Sequence, residues 1–501
     1  MFGKWGLFVL AALASAAVLT SSAGAVSQGS AGANLSTRAG VVQYLASLGV
    51  DARGIVVQRG SHNYAGPNCP GKAWTCTTAT RVLQIANGDD SNSRGRDGGG
   101  DDHGGGGGGD GDGDGGNHNT FVCASNSGPG SSSGHGDCTI VQLSTSGGDN
   151  VARCFEQSRD ASATQSCSIT QDNNTGDNRI FIVQQVDANN GPTQFASQYG
   201  GTSQTNSTGR NDVQISQDIQ QSLNKKDTDP SGTQKQDGHQ AASVTQQSDT
   251  GNNLAIVNQS LALSADAKKG TTLSQLQNTD GDVSSNVGVV QFSGSGRTDA
   301  RVNQSNEYDA HIGKADTGNQ QQGSPGSGVL PGSGENVFYL QNSTGPATIQ
   351  SNQREDQDLH AEHVTHLTQS QYGPQWMDPE QGSNPNDRYN LSQSSSQHAS
   401  NPNTQDDQQF AQCTTTGNCT VSEHIQQQNQ QQNNSCSGNH CDVGNHFTSG
   451  GDGSHGSCNS QNTDGGTCAP SEGTPPPPPP PFRGCQQQID CSPTTAPTPR
   501  N

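Results

Sequence analysis

Aromatic and charged residues are scarce in this chain of 501 residues. Aromatic side chains make up 4% of the sequence, charged side chains 14%, and all hydrophobic residues together only 27%. This composition supplies too little apolar surface for one large conventional core. Catalysis needs groups held in place by a packed surrounding shell, and no nucleophile motif stands out. We therefore expect a protein that is not an enzyme, with a secreted hydrolase kept as the least favoured alternative.

Basic residues are also few. The chain has 24 Lys and Arg against 45 Asp and Glu, which gives a formal net charge of −21. Nucleic acids and anionic lipid surfaces bind through basic faces, and the sequence shows none. We expect no nucleic-acid partner.

Long apolar runs are absent apart from one near the N-terminus. Residues 1–25 have the pattern of a secretory signal peptide, with Lys4 before an apolar stretch and Ala23-Gly24-Ala25 as a small-residue cleavage site. The stretch is short and diluted with Ala and Ser for a membrane span, although an uncleaved anchor is the alternative. We expect cleavage after Ala25, a secreted or cell-surface protein, and no transmembrane segment afterwards.

Cysteine, in contrast, is plentiful, and the fourteen residues fall into neighbouring pairs. In an oxidising compartment disulfides are the expected state, although sequence does not fix their connectivity. The pairs of neighbours are Cys69/Cys76, Cys123/Cys138, Cys154/Cys167, Cys413/Cys419, Cys436/Cys441, Cys458/Cys468 and Cys485/Cys491.

Shifts in composition divide the mature chain into four parts. Residues 26–86 read as a small N-terminal α+β module, in which Ser36 or Thr37 caps a helix that ends near Gly49. Residues 87–119 form a Gly/Asp-rich linker, and residues 120–370 form a repeat region. Residues 371–501 are rich in Gln, Asn, Ser and Gly and carry a polyproline run, so we expect a disordered tail there.

The repeat is a unit of thirteen residues, two short strands that each end in glutamine. A looser copy runs from Gln142 to Gln157. The shared positions in the clear copies are the glutamines Gln171 and Gln184, Gln246 and Gln259, Gln291 and Gln304, with Gly176 and Gly251 at the turn and Asn178 and Asn253 after it.

Residues two apart in a strand face the same side, so Ile180, Ile182 and Gln184 share one face. An unpaired buried amide costs about 1 to 3 kcal/mol. Identical glutamines stacked one layer apart, at about 4.8 Å, avoid that cost by bonding amide to amide. Gly176 and Gly251 are expected to supply a positive φ between the strands. The predicted fold class is mainly β, an irregular, repetitive β-solenoid-like region with a small N-terminal α+β module and extensive disorder.

The order Gln, Gly and then Asn-x-Ala-x-x-x-Gln resembles the curlin repeat of bacterial curli fibre subunits. Asn253, Ala255 and Gln259 match its second half, and Asn178 and Gln184 match it with Ile180 in the alanine place. The distance between glutamines here is about two residues longer than in that family, irregular inserts of about 30 residues separate the units, and about half the chain is covered. The resemblance implies a stacked strand-turn-strand solenoid that assembles outside the cell. A low-complexity sequence with recurring short β-patterns, or another β arrangement, are the alternatives.

Two clusters have the residue types of metal sites. Asp110, Asp112 and Asp114 match the start of a calcium loop, but Phe121 stands where the closing glutamate belongs. His360, His363 and His366 form the densest histidine cluster without zincin spacing. Solvated side chains are the alternative for both. Cys436, Cys441, His446 and Cys458 lack zinc-knuckle spacing. We expect no cofactor, with calcium as the one alternative.

Together these patterns favour a secreted bacterial surface or extracellular-matrix structural protein with stacked β-repeats that self-associates or binds other matrix proteins. The alternative is a cell-surface binding module or adhesin with a long polar spacer.

Overall fold

The computed structural model describes residues 37–53, 55–60, 62–65, 80–86, 118–127, 135–145, 148–189, 191–223, 233–267, 272–276, 286–312, 315–323, 335–361, 364–381, 384–399, 402–414, 418–426, 430–437 and 440–447. The chain divides into two compact units. The first comprises residues 1–57 and 81–83, and the second comprises residues 58–80 and 84–501. The predicted signal peptide and most of the predicted Gly/Asp linker lie outside the described residues.

The first unit contains helix α1, Arg38–Ser47. Thr37 caps its N-terminus by accepting a hydrogen bond from the Gly40 backbone N–H at 3.1 Å. Val41, Tyr44 and Leu45 are buried, and the chain leaves the helix through Gly49, whose φ of 71° suits glycine. The predicted capped helix is therefore confirmed.

Within the described residues, the larger sheet, called sheet A, has thirteen strands. They are β1 Val56–Gly60, β3 Thr80–Ala86, β5 His135–Ser144, β7 Ser162–Asn173, β9 Thr193–Asn206, β11 Thr233–Ser248, β13 Thr272–Leu276, β14 Asn286–Ser293, β16 Ala315–Gly323, β17 Glu335–Ser343, β19 Val364–Gln381, β21 Pro402–Thr414 and β23 Gln430–Ser437.

The second sheet, called sheet B, has eleven strands. They are β2 His62–Ala65, β4 His118–Ser127, β6 Asn150–Ser158, β8 Asn178–Ala188, β10 Asn211–Leu223, β12 Asn253–Ala267, β15 Thr298–Ile312, β18 Ala347–Ala361, β20 Arg388–Ala399, β22 Asn418–Gln426 and β24 His440–Phe447.

The chain alternates between the two sheets, so that one strand of each makes one rung of a parallel β-solenoid. Sheet B pairs its strands in the order β2-β4-β6-β8-β10-β12-β15-β18-β20-β22-β24. In sheet A the long strand β11 pairs with β13 through its first part and with β14 through its second. Strand β19 joins β16 and β17 in the same way. The predicted mainly β, solenoid-like fold is thus confirmed.

Burial alternates along each strand because successive side chains point to opposite faces. In β8 every second residue from Asn178 to Ala188 is buried. Aliphatic side chains stack on equivalent side chains of the neighbouring rungs, since Ile182, Ile215 and Val257 are register partners and all are buried. The core is therefore a thin column between the sheets rather than a globular centre.

The expectation of a disordered tail from residue 371 is wrong for the described residues up to 447. Strands β20, β22 and β24 continue sheet B, and β21 and β23 continue sheet A. The physical reason is that the stacking of amides and small polar residues replaces aliphatic periodicity here: Gln393, Ser395 and Gln397 occupy the buried positions of β20. Residues 448–501 lie outside the described residues.

Among the described residues, no helix has the length and apolar character needed to cross a bilayer.

Candidate functional site: the stacked amide core

A first glutamine ladder runs through the core from sheet A. The Nε2 of each glutamine donates to the Oε1 of the glutamine in the preceding rung, at 2.6 to 2.9 Å. The members are Gln58, Gln84, Gln142, Gln171, Gln204, Gln246, Gln291 and Gln341.

A second glutamine ladder runs through sheet B with the same donor direction. Its bonds measure 2.7 to 2.9 Å, and its first member is a glutamate. The members are Glu156, Gln184, Gln217, Gln259, Gln304, Gln353 and Gln393. The inward glutamines expected from the repeat therefore lie in the core, and the structure stacks them as the pattern predicts.

The first ladder also fastens each turn. Gln171 donates its other amide hydrogen to the Arg179 carbonyl, eight residues along the chain, at 3.0 Å. Gln204, Gln246 and Gln291 repeat this bond to Asp212, Leu254 and Asp299. Because the acceptor lies in the following strand of sheet B, each glutamine ties the two sheets of a rung together. Both hydrogens of each amide are therefore donated, so the amide does not incur the cost of burying an unpaired donor.

An asparagine ladder runs beside the glutamines, with the opposite direction. Each Nδ2 donates to the Oδ1 of the following rung at 2.8 to 2.9 Å. Asn178 also donates to the Thr205 carbonyl, and its neighbours make equivalent backbone bonds. The members are Asn119, Asn150, Asn178, Asn211 and Asn253.

Sequence reasoning missed one full copy of the repeat and two shorter ladders. The missed copy contains Gln204, Gly209 and Asn211 and ends at Gln217, with the same thirteen-residue spacing as the recognised copies. That spacing was the signal available in the sequence. The shorter ladders link Gln165, Gln198 and Gln240, and Gln194, Gln236 and Gln275.

The predicted reason for the turn glycines is wrong. Neither Gly176 nor Gly251 has a positive φ. A Cβ on Gly209 would instead collide with the Gly176 carbonyl oxygen, and a Cβ on Gly251 would collide with that of Gly209. The same contact recurs from Gly296 to Gly251 and from Gly345 to Gly296. Glycine is required at these positions because the turns of successive rungs stack too closely for a Cβ, and not because of the φ angle.

Glu156 takes the ladder position that the sequence had assigned to Gln157. It is the register partner of Gln184, whose Nε2 donates to its Oε2 at 2.8 Å. Its Oε1 is buried without a hydrogen-bond partner within normal distance. Burial raises the pKa of the carboxyl to about 7, against the opposing hydrogen bond from Gln184. The second ladder therefore begins with a titratable group.

A second carboxylate lies at the turns. Burial alone raises the pKa of Asp177, but hydrogen bonds from the Arg210 backbone N–H and the Arg179 side chain outweigh it, and the pKa falls below its usual value. Asp177 remains charged at neutral pH and links two successive rungs, because it accepts hydrogen bonds from Arg179 of its own rung and Arg210 of the next.

Four buried cysteines lie in two adjacent rungs, and two of them, Cys154 and Cys167, lie close to Glu156. Disulfides join Cys123 to Cys138 and Cys154 to Cys167, which are pairs of neighbours expected from the sequence. Cys123 is the register partner of Cys154, and Cys138 of Cys167. The pairs thus cross from one sheet to the other in adjacent rungs.

The same arrangement recurs at the other end of the described solenoid. Cys413 is the register partner of Cys436 in sheet A, and Cys419 of Cys441 in sheet B. Cys419 is disulfide-bonded and buried. Cys69, Cys76, Cys458, Cys468, Cys485 and Cys491 lie outside the described residues.

The predicted metal-binding groups lie wholly or partly outside the described residues. Asp110, Asp112 and Asp114 lie outside the described residues, as do His363 and Cys458. His360 lies in β18 of sheet B, whereas His366 lies in β19 of sheet A. The two histidines are close in sequence but do not share the face of one strand. Cys436 likewise belongs to sheet A, and Cys441 and His446 to sheet B. Within the described ranges, sulfur and carboxylate atoms converge at Cys123, Cys138 and Cys154, and at Cys154, Glu156 and Cys167.

Comparison with known proteins identified no relative. No family model matches the chain, and neither a curated protein nor a solved structure matches it. The interpretation of the core therefore depends on its geometry, which is that of a repeated template: each rung presents to the next the same amides at the same positions.

Proposed function

We propose that the protein is a secreted structural component of the cell surface or extracellular matrix, and that it self-associates by extending its own parallel stack. The proposal is supported by one observation above others, the glutamine ladders that repeat the same bond in the same direction from rung to rung. Each rung presents amide donors and acceptors that match those of the next rung. An end rung is therefore suited to pairing with the end rung of a second copy. A structural role is proposed in place of catalysis.

The test is the assembly state of the purified mature chain. We expect fibres in electron micrographs, with a fibre-diffraction reflection near 4.7 to 4.8 Å along the fibre axis. A chain that remains monomeric over the full accessible concentration range, with intact β-structure in circular dichroism, would contradict self-association.

Secretion is proposed from the N-terminal pattern at Lys4 and Ala23-Gly24-Ala25. N-terminal sequencing of protein recovered from the culture medium or cell surface tests it. A mature chain that starts at Val26 is the expected result; an intact Met1 in cytosolic protein only is the opposite one.

A binding module or adhesin is the second proposal, supported by the outer face of sheet B. Asn352 donates to Asn303 and Asn303 to Asn258 at 2.8 to 2.9 Å, and all three side chains are exposed. This flat row of amides at regular spacing suits a ligand with its own repeat. Adhesion of the monomeric chain to host or matrix surfaces, lost on replacing Asn303, would favour this function over assembly.

A further inference from the structure

Histidines stand opposite histidines in sheet B. The strand register pairs His62 with His118, His311 with His360, and His424 with His446. Six of the 14 histidines are thus matched across adjacent strands. The pair whose side chains the structure describes, His311 and His360, has ring centroids 5.3 Å apart and planes inclined by 11°.

Two neighbouring imidazoles at this spacing become the two arms of a chelate when their side chains rotate so that one nitrogen of each ring faces the same ion. Register partners on parallel strands are held by the sheet, so little entropy is lost when one ion binds both rings. Imidazole nitrogen is a preferred ligand of Cu²⁺, Ni²⁺ and Zn²⁺, and Cu²⁺ binds most tightly in that series. His311 is half-buried and His360 exposed, so both reach solvent.

Carboxylates surround the pair on the same face. Asp266, the register partner of His311, places Oδ1 3.7 Å from its Nδ1. Asp309 and Asp358 are register partners two residues before the histidines, and His398 lies opposite Asp358. These carboxylates give the surroundings of the histidine pair a negative charge, which favours a cation.

We propose that His311 and His360 form a surface site for a divalent late first-row transition metal ion. The site differs from the His360, His363 and His366 grouping suggested by sequence order. It is independent of the self-assembly proposal, because it needs only β15 and β18 of one chain.

The experiment is a titration of the full mature chain at pH 7.5 with Cu²⁺ carrying one equivalent of iminodiacetate, a chelator that leaves positions open for two imidazoles and favours paired over single ones. His311→Ala and His360→Ala are each expected to remove one tightly held copper ion, and the double variant is expected to remove the same one, not two. His239→Ala, on sheet A, is the matched control and should hold as much copper as the unaltered chain.

Electron paramagnetic resonance of the bound ion gives an independent readout. Two imidazole nitrogens should couple to the copper in the unaltered chain, and His311→Ala should lower the signal of this species by one equivalent. Unchanged copper binding in the single variants, two ions lost in the double variant, or equal loss in His239→Ala would each overturn the proposal. Circular dichroism confirms that each variant keeps its β-structure.

Discussion

At the scale of single residues, the core of this protein depends on buried amides whose hydrogens are donated both to the next amide and to backbone carbonyls. Gln171 donates one hydrogen to Gln142 and the other to backbone carbonyls, including that of Arg179. Amides in such positions are both polar and core residues, so the ordinary separation of polar surface from apolar interior does not apply. A charge at such a position is costly, because a stack supplies no counter-ion.

Gln259→Glu tests this directly. Gln259 is 3% exposed and bonds Gln217 and Gln304 on either side. A carboxylate there loses its donor hydrogens, and we expect destabilisation of about 3 to 5 kcal/mol by analogy with a broken buried pair. Asn258→Glu is the control, since Asn258 faces solvent and surface changes cost about 0.5 kcal/mol or less. Urea denaturation followed by circular dichroism measures both, and equal tolerance would refute the buried ladder.

Glu156 predicts a pH dependence of stability. Its folded pKa of about 7 exceeds its ordinary value of 4.5. The unfolded chain therefore loses this proton first, and stability falls as pH rises from about 4.5 to about 7. Glu156→Gln should leave the free energy of unfolding unchanged at pH 4 and raise it by about 3 kcal/mol at pH 8. This figure follows because each unit of pKa shift corresponds to about 1.36 kcal/mol.

Thermal melts at pH 4, 6 and 8 provide the measurement for Glu156→Gln. Glu307→Gln is the matched control, because Glu307 is on the exposed face of sheet B and removes the same charge outside the ladder. A gain at pH 8 that is equal in both variants would assign the effect to net charge and not to the ladder.

At the scale of elements, the strands and the inward glutamines were predictable, but the turns were not. The two-residue alternation ending in Gln locates β7, β8, β11 and β12 from sequence alone. The role of Gly251 was not predictable, because the atom that excludes a Cβ, the Gly209 carbonyl oxygen, lies 42 positions earlier in the chain and one rung away. The local sequence indicates which φ angles a residue prefers. The contact between stacked turns depends instead on the position of the neighbouring rung, which the local sequence does not give.

Gly251→Ala is therefore expected to destabilise the solenoid although its φ is ordinary. Its methyl group would meet the Gly209 carbonyl, and over-packing of this kind costs about 1 to 3 kcal/mol. Gly288→Ala is the control, because a Cβ there has no neighbour within 4 Å. Denaturation midpoints of the two variants should separate clearly. Similar midpoints would mean that the turns have room to move apart.

The same limit explains the error at Glu156. By residue type the segment from Gln142 to Gln157 matches a loose repeat, but the alternation of burial along the strand places residue 156 inward. In the tail, polar residues at buried positions hid strands from any argument based on aliphatic periodicity. Ser395 and Gln397 are buried there without an apolar neighbour in sequence.

At the scale of the whole molecule, cysteines of adjacent rungs are aligned near both ends of the described solenoid. Terminal rungs have a neighbour on one side only, so they are the first to separate. Near the N-terminal end, the Cys123–Cys138 and Cys154–Cys167 bridges link the two sheets and oppose this separation where it begins.

Peptide mapping of non-reduced protein should find Cys123 joined to Cys138, Cys154 to Cys167, Cys413 to Cys419 and Cys436 to Cys441. Removing the Cys154–Cys167 bridge, which closes a sequence separation of 13, should cost about 3 kcal/mol in the thermal transition. Replacing both cysteines by serine tests this, and the reduced unaltered chain serves as the comparison. Bridges between rungs, such as Cys123 to Cys154, would contradict the cross-sheet pairing.

The shared direction of the glutamine bonds gives the solenoid two chemically unlike ends. Every Nε2 in both long ladders points toward the N-terminal rungs and every Oε1 toward the C-terminal rungs. In these glutamine ladders, a second copy meets donors with acceptors only when it joins head to tail, since two C-terminal ends would oppose oxygen to oxygen and two N-terminal ends would oppose N–H to N–H. A contact of that kind does not close on itself, so it leads to an open filament and not a symmetric dimer. Such a filament would be polar, and its two tips would grow at different rates.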